Sequence, residues 1–275
     1  MRLGLQDHVR LLDLLIAVLI KHKSVAEFRL EVHDVSDEMA SVLVPMIQAA
    51  GSSSSTLTTL SEAPGLHTRD CYGISRSIVE IAVNICYIIA EGETAANRAL
   101  RHARQKSHRD LDRESALGDS IIRMFHRGAP DPSTIKGLQD ELNEFTSQSG
   151  REKGWIDLGV DERIEIVGTK LGESILTALH WARFMVYRHS SEILHGTLFG
   201  AYFFFGQTIP NRPQSLNDFN EFIGHQHMTV LLACVLALSA LVESFHKVFG
   251  FSQAAERSRS IISSLSQLEY LQDGN

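Results

Sequence analysis

The sequence predicts an all-α protein, a helical bundle, on three observations. Apolar residues recur at three- and four-residue spacing through most of the chain, alternation of polar and apolar residues is almost absent, and 275 residues hold only six prolines. Taken in order, Leu11 to Ile20 marks a first core helix within 5–22, and a second follows at 34–50. The Gly51-Ser52-Ser53-Ser54-Ser55 run and the Pro64-Gly65 pair predict a flexible break. Residues 68–91 are rich in Ile and Val, and 94–113 are rich in Arg and Lys; both read as helices. A loop at Gly128 to Ser133, with Pro130 and Pro132, precedes helices at 134–147, 161–168, 171–196 and 198–206, the last ending in Phe203, Phe204 and Phe205. A loop from Gln207 to Ser215, with Pro210 and Pro213, leads to an apolar helix at 216–248 and a final one at 252–271. The expected organisation is an N-terminal helical extension, 1–60, and a main domain, 61–275.

Composition excludes several functions. A hydrophobic content of 44% in 275 residues supports a large core, and a net charge of -7 argues against a surface that coats nucleic acid along its whole length. Any such contact must be local. Cys71, Cys86 and Cys234 are far apart and form no CxxC pair, so neither a disulfide framework nor a cysteine metal site is expected, and a reducing cytoplasm is the natural compartment. Asp7, His8 and Arg10 precede the first apolar run without a small-residue cleavage site, which does not resemble a signal peptide. The longest apolar run, Met228 to Val242, falls short of the roughly 18 to 20 residues that span a bilayer, so no membrane partner is expected.

Three polar clusters stand out. At about 100° per residue, Arg188, Ser191, Glu192 and His195 share one stripe at the end of a long helix, with Ile193 and Leu194 expected toward the core. Arg76 and Glu80 lie four apart on an Ile-rich helix, with Asn84 and Tyr87 continuing the same side; an ion pair is the simplest reading, a buried site the sharper one. Arg98, Arg101, Arg104, Lys106 and Arg109, with His102, His108 and Arg113 among them, form a basic strip suited either to phosphate or to acidic neighbours of the same chain. Glu192-x-x-His195 and Glu243-x-x-His246 fit the Glu-x-x-His element of di-iron bundles, with Glu80 as a third ligand, but no fourth carboxylate is evident and no metal is assigned. Phosphate-binding Gly-rich loops, Gly-x-Ser-x-Gly and His-Glu-x-x-His are all missing.

The Arg188 to His195 spacing resembles the HEPN superfamily of helical proteins, whose ribonuclease members carry an Arg, often followed by a polar residue, and a His after four to six more. Here His189 follows Arg188; Arg2 to His8, Arg101 to His108 and Arg183 to His189 fit the same window. A longer pattern is similar to an uncharacterised bacterial helical family, a domain of unknown function: Arg-x-x-x-Glu at Arg76 and Glu80, a Trp at Trp155, then Tyr-x-x-x-Ser-x-x-x-His-Gly at Tyr187, Ser191, His195 and Gly196. It covers roughly residues 65–250. The resemblance implies a HEPN-like core and a site of Arg76, Glu80, Tyr187, Arg188, Ser191 and His195. It implies an endoribonuclease that needs neither metal nor cofactor, with the His as general acid or base and the Arg stabilising charge on the phosphorane, and a homodimer joined through the apolar C-terminal helices. The rival expectation is a non-catalytic helical module that binds a nucleotide or a partner protein.

Overall fold

The computed structural model describes residues 4–19, 24–32, 35–111, 113–124 and 134–266. Their contacts divide the chain into two compact units, Met1–Ala90 with Val160–Asn275, and Glu91–Gly159. Eleven helices and one two-stranded hairpin are present among the described residues, and the protein is an all-α helical bundle.

The larger unit is built from α1 (Leu5–Leu19), α2 (Val25–Glu31), α3 (Asp37–Leu60), α4 (Thr68–Glu91), α7 (Val160–Leu171), α8 (Glu173–Leu194), α9 (Leu198–Phe204), α10 (Leu216–Phe249) and α11 (Ser252–Ser266). Helix α10 is its centre, touching α1, α8 and α11. Ser215 and Asp218 form a capping box at its start, and Gly250, at φ 77°, ends it in the left-handed conformation. By length and composition α4 and α10 are both apolar enough to cross a membrane, yet 56% and 72% of their most apolar windows are buried inside the protein. The apolar run of α10, in which Val230, Leu231, Val235, Leu238 and Leu241 are buried, is therefore consumed by packing within the unit.

Two local expectations are corrected. The Gly51 to Ser55 run is not a break: α3 continues through it to Leu60, and α2 is a further helix the periodicity did not reveal. The reason is that hydroxyls accumulate here at i, i+4 spacing. Ser54, Thr56, Thr58 and Thr59 donate to the carbonyls of Ala50, Ser52, Ser54 and Ser55, while Gly51, Ser54 and Leu57 are buried. Burial of this face outweighs the weak helix propensity of Gly and Ser.

The smaller unit holds α5 (Glu93–Leu111), β1 (Arg113–Leu117), β2 (Ser120–Met124) and α6 (Leu138–Glu144). The hairpin was not expected. Its strands pair antiparallel, Leu117 opposite Ser120, around Gly118 at φ 57°. Helix α6 is shorter than the expected 134–147, and the loop expected at Gly128 to Ser133 lies outside the described residues, as do the ends of the first and last expected helices.

Candidate functional site

Close packing shapes the end of α8. Gly196, at φ 64°, turns the chain after the helix, and Thr197 caps α9 by accepting from the Gly200 backbone while donating to a Glu192 carboxylate oxygen at 2.7 Å. A Cβ at Gly200 would lie 2.5 Å from the Glu192 carbonyl, so only glycine lets α9 fold back this tightly. Arg69 donates to the Ile193 carbonyl at 3.1 Å and satisfies one of the last free carbonyls of α8.

This elbow opens one wall of a surface cleft of about 1130 Å³. Helix α8 supplies Tyr187, Arg188, His189, Ser191 and Glu192; α9 supplies Phe199 and Phe203; α10 supplies Phe222, His225 and Gln226. The His189 ring stacks on Phe203 at 3.9 Å between centroids and 2° between planes. Burial, then the neighbouring Arg188 charge, hold its pKa below the ordinary histidine value, so the imidazole is neutral at pH 7.

The structure divides the expected site into parts. Arg76, Glu80 and Tyr187 form one closed cluster between α4 and α8. The Tyr187 hydroxyl donates to a Glu80 oxygen at 2.7 Å, the same oxygen is 3.5 Å from Arg76 Nε, and the Arg76 guanidinium lies over the Tyr187 ring at 4.2 Å. Burial first, then donation to Glu80, raise the Tyr187 pKa. Asn84 on the same face accepts from Arg163. Arg188 is exposed on the cleft wall, with Ser191 beside it. Among the described residues Arg188 has no hydrogen-bond or ion-pair partner. His195, the C-cap of α8, is exposed and lies outside the residues that line the cleft. The expectation that Leu194 points to the core is corrected: it is 57% exposed and folds over Gly73 on α4, where a Cβ would meet its Cδ2 at 2.9 Å, whereas Ile193 is buried.

The basic strip is tied into its own unit. Arg98 and Arg101 reach Glu144 at 3.1 and 3.3 Å, Arg104 reaches Glu141 at 3.2 Å, Lys106 reaches both oxygens of Glu152 at 3.0 Å, and Arg109 donates to the Thr146 hydroxyl at 2.5 Å. Arg98 also donates to the carbonyl of Trp155, the Trp singled out in the sequence. Compared with family models, curated proteins and solved structures, the chain matches none.

Among the described residues no group of three or more His, Cys, Asp or Glu side chains is placed to hold a metal ion. Glu192 is taken by Thr197, and Glu243 by a two-pronged pair with Arg259 at 2.7 and 2.9 Å. Burial pushes the thiols of Cys71, Cys86 and Cys234 up to about 12, which removes them as nucleophiles.

Sequence reasoning undervalued His189, Phe203 and Gln226. His189 entered only as the residue after Arg188, and Phe203 only as part of an apolar patch. Gln226 carried no signal at all, because a lone Gln on an apolar helix is informative only once its neighbours are known.

Proposed function

We propose that this chain acts on RNA: the cleft of α8, α9 and α10 holds a single-stranded segment, and the end of α8 cuts it without a metal. The supporting observation is that Arg188, exposed and without a protein partner among the described residues, stands on the wall of a cleft whose lining includes several aromatic rings and two imidazoles. Single strands are bound by stacking bases on rings while a cation meets the phosphate. In this reading Arg188 stabilises charge on the phosphorane. His195 lies seven residues further on, about 10 Å along the axis on the same side of the helix, and serves as general acid or base for an adjoining phosphodiester. The fold class and the HEPN resemblance accord with toxin or phage-defence work in the cytoplasm.

The Arg76–Glu80–Tyr187 cluster then positions α8 against α4, with Tyr187 as part of the cleft wall. The basic strip, neutralised by Glu141, Glu144 and Glu152, plays a secondary part at most. A homodimer belongs to the same proposal, with its surface moved from the buried apolar run of α10 to the two ends of α9, where Leu198 and Phe205, outside the cleft lining, are both more than 45% exposed.

One observation favours a second reading, a non-catalytic module that binds a nucleotide or a partner protein: His195 lies outside the cleft wall. Cleavage of mixed cellular RNA in EDTA separates the two. The nuclease reading expects wild-type cleavage that falls by about a hundredfold or more in His195→Ala and Arg188→Ala at matched thermal stability. No cleavage by wild type, with RNA still bound in an Arg188-dependent way, leaves the binding module.

A further inference from the structure

Three residues of the cleft carry buried polar atoms that no protein group satisfies: Arg183 Nε, His189 Nδ1 and Gln226 Oε1. Gln226 is the most constrained. The residue is 6% exposed, and its amide nitrogen donates to the Phe204 carbonyl at 3.3 Å, which leaves Oε1 as the atom without a donor. An unsatisfied buried acceptor is destabilising, and a donor from a bound ligand would relieve it. Gln226 lines the same cleft as the His189–Phe203 stack, and its amide nitrogen is tied to the backbone of Phe204 in α9.

Resting on the reading of the cleft as an RNA-binding site, we infer that it selects a nucleotide whose base carries an exocyclic amino group. The base stacks beside the Phe203–His189 pair, its amino group donates to Gln226 Oε1, and its phosphate meets Arg188. A base with a carbonyl in place of that amino group brings acceptor against acceptor and is rejected. Adenine and hypoxanthine present the same fused rings for stacking and differ along one edge, where the 6-amino donor and N1 acceptor of adenine become the 6-carbonyl acceptor and N1–H donor of hypoxanthine, so the pair reads the donor pattern that Gln226 faces apart from the aromatic wall.

The test is calorimetric titration of the full chain with AMP and with IMP, neither of which has a phosphodiester to cleave, alongside anisotropy of a labelled oligoadenylate. Wild type is expected to bind AMP roughly tenfold more tightly than IMP, as expected where a buried polar group is left unpaired by the wrong ligand. Gln226→Met should bring the ratio to about one. Arg188→Ala should weaken both nucleotides alike and keep the ratio, and Phe203→Leu should do the same through lost stacking. Because the ratio is measured within each variant, partial loss of folded protein does not imitate the result. Equal affinity of wild type for AMP and IMP, or a ratio unchanged in Gln226→Met, overturns the inference. If the oligonucleotide still binds in an Arg188-dependent way in that case, the RNA reading stands without it; if neither mononucleotide nor oligonucleotide binds, both fall.

Discussion

Glu80 Oε1 accepts a hydrogen bond from Tyr187 and faces Arg76, while the Arg76 guanidinium covers the tyrosine ring, so three side chains of different chemistry satisfy one another within a few ångströms. Removing one member leaves the other two imperfectly paired. Tyr187→Phe keeps the ring under Arg76 and should cost about 1 kcal/mol, whereas Glu80→Ala strands a half-buried guanidinium and should cost about 2, both read from urea midpoints at pH 7. His227 is a second closed cluster. It is fully buried, with Ser61 at 2.7 Å from Nε2 and Thr68 at 2.9 Å from Nδ1, and burial pushes its pKa down to about 4. A histidine whose folded pKa lies below its unfolded value of about 6.5 binds protons preferentially when unfolded. Its contribution is complete above pH 6.5 and is lost as the pH falls toward 4, by up to about 3 kcal/mol. Urea titrations at pH 7.0 and 4.5 should show this loss in wild type and a smaller one in His227→Gln; equal losses would assign the acid sensitivity elsewhere.

At the scale of elements, local composition and the observed helix disagree most sharply in α3. Gly51 to Ser55 has the composition of a linker, but the back-bonded hydroxyls and the buried face of Gly51, Ser54 and Leu57 make it a helix interior. Ser55→Pro is a direct check. A linker would accept it, but at this exposed helical position it should cost about 3 kcal/mol and lower the melting temperature accordingly. The α8–α9 elbow makes the opposite demand on glycine. Gly200→Ala would drive a methyl into the Glu192 carbonyl and must displace α9, so both melting temperature and RNA binding should fall, whereas Gly224→Ala, inside α10 with open space around its Cβ, should raise the melting temperature slightly and leave RNA binding unchanged.

At the scale of the whole molecule, the apolar surface that the sequence assigned to association is spent inside the larger unit, and other rings are left outside. Leu198 is 67% exposed and Phe205 47%, at the two ends of α9 and outside the cleft lining. If these form the proposed dimer surface, sedimentation at micromolar concentration should give a dimer for wild type and a monomer for the Leu198→Arg, Phe205→Arg double variant, with far-UV circular dichroism unchanged; a monomeric wild type would end the dimer proposal.

What the sequence by itself determined is periodic: the all-α class, the extents of α4, α8 and α10 to within a few residues, and the stripe that sets Arg188 and Ser191 on one side of α8, because side-chain direction along a helix follows from residue number alone. The tertiary structure alone decided which partners meet. Glu141, Glu144 and Glu152 against the basic strip, Tyr187 against Glu80, and Gln226 against the Phe204 carbonyl are all pairings between segments distant in the chain. The same holds for the hydroxyl-rich run of α3 and for the small hairpin, whose propensities are weak and whose form is set by burial and by pairing with another strand. A helix announces its own face in the sequence, but what that face is used for depends on the segment packed opposite, and no local pattern encodes that.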